Sequence, residues 1–84
     1  MSRGTAYVDS FGQDPNNGTV SSVRIGGIGK RSLGKVLRVK VVSQDGKRIL
    51  DRLSWEIDAQ VSPDLRLSDP IPAESIGAVL IAIE

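Results

Sequence analysis

The 84-residue sequence contains neither cysteine nor histidine. Without cysteine no disulfide bond can form, and the preferred ligands of a structural zinc ion are both missing. The commonest acid–base and thiol groups of enzymes are also missing, and no pair among the ten Asp and Glu residues is singled out by its spacing. We therefore predict a non-enzymatic protein with no catalytic residues, no cofactor and no metal site.

Long apolar runs and aromatic residues are scarce as well. The longest apolar stretch, Ala78 to Ile83, is far shorter than the roughly 20 residues of a membrane span. Met1 to Gly12 has no apolar run, so we predict no signal peptide. One Trp, one Tyr and one Phe give little support for stacking on single-stranded bases. These features predict a cytoplasmic protein with no membrane partner.

The length of the chain predicts one domain spanning residues 1–84. A domain of this size buries only about 60–65% of the surface that its unfolded chain exposes, so its core is small. Since disulfide and zinc support are missing, oligomerisation is the remaining common way to stabilise such a core. The size therefore favours a homo-oligomer.

Valine and isoleucine together number 17, against seven leucines and five alanines, and this balance favours strands over helices. The sequence predicts strands at Thr5–Phe11, Thr19–Ile25 and Leu65–Leu67, with a turn at Asp14–Gly18. The two prolines of Asp69–Pro72 are predicted to break the strand pattern after Leu67. We predict a mainly β fold of five or six strands, either a small barrel or a sandwich, with at most one short helix.

The best-defined unit is a hairpin at residues 35–57, where apolar and polar residues alternate on both sides of a Gln44–Lys47 turn. Both apolar sets have odd numbers, so odd residues must lie opposite odd residues. A three-residue loop with Gly46 in the left-handed conformation meets this condition and predicts pairs whose numbers sum to 90. Leu37 then lies opposite Leu53, and Arg38 opposite Arg52. Asp51 is the one polar residue on the inner face.

Two segments also fit a helical pattern. Residues 47–61 place apolar side chains at helical spacing, but a helix would leave Trp55 off the apolar stripe. Residues 74–84 could form a helix beginning near Glu74, but the run from Val79 to Ile83 is rich in β-branched residues. We predict strands in both places, the last one buried on both faces.

The net charge of +1 conceals two segments of opposite charge. Residues 15–50 hold eight cations and one acid, a net charge of +7, whereas residues 51–84 hold seven acids and two cations, a net charge of −5. This asymmetry indicates either an anionic partner or complementary contacts between copies of the chain, unless the two segments neutralise each other within the fold.

The basic segment at residues 24–52 supplies a candidate site for an anion or a nucleic acid. Its predicted residues are Lys30, Arg31, Lys35, Arg38, Lys40, Arg48 and Arg52. Like charges directly opposed on a sheet destabilise it, so an acid or a phosphate would be a favourable neighbour. A solvated face with splayed side chains is the simpler alternative.

A second candidate surface lies at the C-terminus, where Val79, Ile81 and Ile83 are predicted to mediate self-association. The primary hypothesis is a non-enzymatic binding or assembly module that acts through protein–protein contacts, as a homo-oligomer. The alternative hypothesis is a nucleic-acid-binding module that uses the basic segment.

Overall fold

The computed structural model describes residues 6–84, which form six β-strands in two antiparallel sheets. The strands are β1 (Tyr7–Asp14), β2 (Thr19–Gly26), β3 (Val36–Ser43), β4 (Ile49–Glu56), β5 (Asp64–Pro72) and β6 (Ile76–Ile83). The first sheet has the order β1-β2-β5, and the second has the order β4-β3-β6. The prediction of a mainly β fold with five or six strands is confirmed.

Within residues 6–84 the helical content is limited to two single 3-10 turns, at Lys30–Ser32 and Ala73–Ser75. The segments at 47–61 and 74–84 therefore contain strands rather than helices. None of the helical turns in this part of the chain is long and apolar enough to cross a membrane.

One buried core contains side chains from both sheets, and most of them are alternate residues of the middle strands β2 and β3. Fully buried side chains on β2 and β3 are Val20, Val23, Ile25, Leu37, Val39 and Val41. A middle strand has neighbours on both sides, so its inward side chains are covered completely. Burial of each Val, Leu or Ile contributes about 1.5–3 kcal/mol relative to leaving it exposed. Leu67 and Ile71 on the edge strand β5 are also buried in this cluster, as is Ile57 just after β4. Trp55 on β4 and Val79 on β6 pack against it but stay half-buried.

The hairpin of β3 and β4 is confirmed, but its predicted register is wrong by two residues. The paired numbers sum to 92: Leu37 lies opposite Trp55 and Lys40 opposite Arg52. The pairs predicted to sum to 90, such as Arg38 with Arg52, do not form. The parity is unchanged, because a shift of two residues keeps every side chain on its face.

The physical reason for the shift is a longer loop followed by a bulge. The Ser43 N–H donates to the Arg48 carbonyl at 2.9 Å, so four residues form the loop instead of three. Gly46 has a φ of 73°, as predicted for the left-handed position. The Asp45 carboxylate accepts hydrogen bonds from the Ser43 hydroxyl and the Lys47 N–H, which lower the pKa of Asp45. Beyond the loop, Leu50 is the extra residue of a bulge in β4.

Strand β5 corrects another expectation, because it runs from Asp64 through Pro72 rather than ending at Leu67. Pro70 and Pro72 were expected to interrupt the strand, but β5 lies at the edge of its sheet. A proline is tolerated on an edge strand because the missing N–H would have faced away from the ladder. The pairing with β2 is also irregular between Val20 and Ser22, which accommodates the additional residues.

The two sheets are joined along one side and open along the other. On the joined side β4 lies against β5, where the Ser68 N–H donates to the Asp51 carboxylate at 2.7 Å and the Ser68 hydroxyl donates to it at 3.2 Å. On the opposite side no strand pairing links β1 to β6 within residues 6–84. The sheets of this part of the chain are consequently not closed into a barrel.

Candidate functional site

Three of the four edge strands carry features that discourage pairing with another strand. Native edge strands are commonly protected by charge, proline, bulges or a covering element. Strand β5 has two prolines and the exposed acids Asp64 and Asp69, and β1 carries Asp9 and two register irregularities. Strand β4 lies against β5 and exposes Arg52 and Glu56. These edges are poor templates for a partner strand.

Strand β6 differs from the other edges. Its sequence from Ile76 to Ile83 contains no charge and no proline, and its pairing with β3 is regular from Ala78 to Ile83. Its only irregularity lies near Gly77, at the beginning of the strand. An uncharged, regular edge of this length is the kind of edge that pairs with another chain. We define the β6 edge as residues 78–83.

The hydrogen bonds between β3 and β6 identify the backbone groups that point away from the sheet. Val36 and Glu84 exchange two hydrogen bonds of 2.9 Å, so they form a hydrogen-bonded pair. In an antiparallel ladder these pairs recur at every second residue. The even-numbered residues of the β6 edge therefore bond to β3. The backbone N–H and C=O groups of Val79, Ile81 and Ile83 point outward from the sheet.

Two cavities lie beside β6, and we call them together the groove. One part has a volume of about 350 Å³ and is lined mainly by apolar side chains, including Phe11 on β1 with Ile76 and Val79 on β6. The other has a volume of about 300 Å³ and lies against Ile81 and Ile83, with Arg31 and Lys35 at its rim. The cavity near the beginning of β6 is thus mainly apolar, whereas the cavity near its end is also lined by two cations.

The predicted self-association residues Val79, Ile81 and Ile83 share the inner face of β6. They pack against the core but are only half-buried, because their outward side meets the groove rather than another strand. The expectation that β6 is buried on both faces is wrong for the single chain. Ala78, Leu80 and Ala82 on the outer face are exposed, with 55% of Leu80 accessible.

The structure divides the seven predicted cations of the basic segment into three groups. Arg38, Lys40 and Arg52 share the outer face of the second sheet, and all three are exposed. Lys30, Arg31 and Lys35 lie before β3, whereas Arg48 lies at the loop beyond its other end. Eight strand residues of about 3.3 Å each separate these ends, so the seven side chains do not form one cluster.

Within the central group, Lys40 and Arg52 are directly opposed. The sequence pattern also predicted two opposed cations on this face, but it placed Arg38 rather than Lys40 opposite Arg52. Arg38 is neutralised by Glu84, whose carboxylate lies 3.0 Å from the Arg38 Nε, and both side chains are more than half exposed. An exposed pair of this kind contributes at most about 1 kcal/mol. Lys40 and Arg52 are thus the two cations of this face with no salt bridge among the described residues.

The sequence pattern identified the inward residues of β6 but not the free edge. An alternating pattern shows which side chains share a face, whereas the strand that lies on either side is decided by long-range pairing. Proline and charge along the strands were the available signal, because β6 is the strand that lacks both. Comparison of this chain with protein-family models, curated proteins and solved structures found no match.

Proposed function

We propose that this protein is a non-enzymatic assembly module that forms a homo-oligomer through the β6 edge. The observation that carries this proposal is the contrast between β6 and the three other edge strands, which are protected by prolines, charges, bulges or a neighbouring strand. A partner strand would satisfy the outward backbone groups of Val79, Ile81 and Ile83.

Burial of apolar surface supplies the driving force. Half-buried side chains of β6 and the 37% exposed Phe11 line one open groove. Each square ångström of apolar surface removed from water contributes about 25 cal/mol. Because the β6 edge carries no charge, covering it requires no desolvation of an ionised group. The β6 edge itself therefore adds no charge-desolvation cost to the proposed interface.

The same proposal includes the packing of the two sheets. Both sheets contribute side chains to one core, which supports a sandwich that is open along β1 and β6. In this arrangement self-association covers the side that the single chain leaves open. The small size of the core is a further reason for the chain to gain stability from a second copy.

The test is the mass of the full chain in solution. Sedimentation equilibrium from about 1 to about 100 µM covers dissociation constants in the range expected for a modest interface. We expect a mass that rises above the chain mass of 9.0 kDa as concentration increases. A constant mass of one chain over this range contradicts the proposal.

Nucleic-acid binding is the second candidate, and the opposed, exposed pair Lys40 and Arg52 is the observation that favours it. A phosphate between the two side chains would relieve their repulsion, and its counterions would be released on binding. The division of the cations into three groups counts against a continuous basic surface. We therefore place this function second.

Fluorescence titrations of duplex and single-stranded DNA and RNA at two salt concentrations test this candidate. If it is right, Lys40→Gln combined with Arg52→Gln weakens binding and reduces its salt dependence. The control, Arg24→Gln with Arg66→Gln, removes the same charge from the other sheet. No binding at low salt, or equal loss in both double variants, contradicts nucleic-acid binding by this face.

A further inference from the structure

We infer that two copies of the chain pair antiparallel through their β6 edges, with the twofold axis at Ile81. This inference rests on the proposed self-association and specifies its geometry. Each copy contributes one three-stranded sheet, so the dimer contains a continuous six-stranded sheet. Its strand order is β4-β3-β6 from one copy followed by β6-β3-β4 from the other.

The direction of the backbone groups limits the possible registers to those that place odd residues opposite odd residues. A hydrogen-bonded antiparallel pair requires two residues whose N–H and C=O groups both point outward. On the β6 edge these residues are Val79, Ile81 and Ile83, as the reciprocal bonds between Val36 and Glu84 require. Ile81 then lies opposite the partner's Ile81, and Val79 lies opposite the partner's Ile83. The three pairs of this ladder form six backbone hydrogen bonds.

Other registers form fewer bonds within the regular edge. An axis at Leu80 pairs only Val79 with Ile81, and an axis at Ala82 pairs only Ile81 with Ile83, so each gives four bonds instead of six. A twofold axis at Val79 would bring Gly77 into the ladder, where the regular pairing of β6 is interrupted. An axis at Ile83 would leave Ile81 opposite no residue of the partner's β6. The uncharged regular edge from 78 to 83 is therefore used fully when Ile81 lies on the axis.

The side chains on both faces fit this register. On the inner face the β-branched side chains of Val79, Ile81 and Ile83 meet one another and extend the apolar layer over the groove. On the outer face the large Leu80 lies opposite the partner's Ala82, so a large residue meets a small one. Glu84 lies opposite the partner's Ala78 and keeps its contact with Arg38. No like charges oppose each other along the ladder.

The occupant of the edge is thus a second copy of this chain. The edge is uncharged and is self-complementary about Ile81, so an identical strand satisfies every outward backbone group of residues 78–83. A twofold interface of this type is closed, because each copy uses its single β6 edge. The expected assembly is a dimer with twice the chain mass of 9.0 kDa.

Two double variants that differ only at position 82 test the register. The first is Leu80→Glu with Ala82→Glu, and the second is Leu80→Glu with Ala82→Lys. Position 80 lies opposite Lys40 and position 82 opposite Arg38 within the chain, so the first variant is electrostatically compatible with its own sheet. Across the proposed axis, residue 80 of each copy lies opposite residue 82 of the other copy, so this pair occurs twice in the dimer. The first variant opposes like charges there, and the second opposes unlike charges.

We expect the dissociation constant of the Glu/Glu variant to exceed that of the Glu/Lys variant by at least about tenfold, measured by sedimentation equilibrium. Urea unfolding at a low protein concentration verifies that both variants are folded. If the natural chain associates but the two variants have equal dissociation constants, the register is wrong and the proposed function stands. If the natural chain remains a monomer, the proposed function itself fails.

Amide hydrogen exchange on the natural chain provides a second measurement that does not depend on any variant. The amides of Leu80 and Ala82 bond to β3 and should be protected at every concentration. The amides of Val79, Ile81 and Ile83 should become protected only as the dimer forms. Protection of these three amides that does not change with concentration, or a mass above that of a dimer, overturns the inference.

Discussion

The Asp51 carboxylate joins the two sheets, so its removal should destabilise the fold measurably. It accepts hydrogen bonds from the Ser68 N–H at 2.7 Å, the Ser68 hydroxyl at 3.2 Å and the Arg52 N–H at 2.8 Å. A hydrogen bond to a charged group contributes about 1.5–3 kcal/mol, but Asp51 is only half-buried and water can replace part of this. We expect Asp51→Ala to lower the free energy of unfolding by about 2 kcal/mol.

The size of the domain converts this loss into a shift of Tm. The unfolding entropy near Tm is about 2.1 cal/mol/K per residue, so about 2 kcal/mol corresponds to a decrease of about 10 °C for an 84-residue chain. The total stability of such a domain is about 4–13 kcal/mol. The loss of this one carboxylate therefore removes a substantial part of it.

Thermal and urea unfolding at neutral pH and fixed protein concentration measure this effect. Asp58→Ala is the control, because Asp58 is an exposed acid in the connection after β4 and its replacement should change stability by less than about 0.5 kcal/mol. Hydrogen exchange at the Ser68 amide should also accelerate in Asp51→Ala. Equal stability of the two variants, together with unchanged exchange at Ser68, would refute the role of Asp51.

Three further substitutions test other parts of the structure. Leu37→Ala should lower the free energy of unfolding, measured in urea, by about 2–5 kcal/mol because Leu37 is fully buried. Leu80→Ala, measured at low protein concentration, should lower it by less than about 1 kcal/mol because Leu80 is exposed. Equal losses would contradict the assigned faces. Gly77→Ala should lower Tm because its Cβ would collide with the Ser43 carbonyl oxygen, and an unchanged Tm would contradict that contact. Asp45→Asn should lower the free energy of unfolding, because the charged carboxylate accepts the two hydrogen bonds of the loop. The difference from the natural chain should have its full size above a pH of about 3.9 and should vanish as the pH falls through the lowered pKa of Asp45. A difference that does not change with pH would contradict this prediction.

The hairpin shows how much a local pattern can predict. Alternation within residues 35–57 correctly placed Leu37, Leu53 and Trp55 on the inner face, because successive side chains of a strand point to opposite faces. The register could not be obtained in the same way. Four loop residues and a bulge at Leu50 shift it by two, and parity alone does not distinguish these arrangements.

The candidate sites depended on longer-range contacts. Arg38 was predicted as part of the cation site, and the structure places it 3.0 Å from the carboxylate of Glu84, 46 residues later in the chain. Arg48 was predicted in the same basic segment, and the four-residue loop places it at the end of the hairpin. Charge counting along the sequence therefore identified the basic strand β3 but not the acid that lies beside Arg38.

The sequence by itself determined the strands and their apolar faces, since these follow from composition, turn residues and a period of two. It also determined that β6 carries no charge. Only the tertiary structure decided which strands lie at the edges, because strand pairing joins residues far apart in the chain. That decision explains why Pro70 and Pro72 can belong to β5, and why the uncharged β6 has one side without a neighbouring strand.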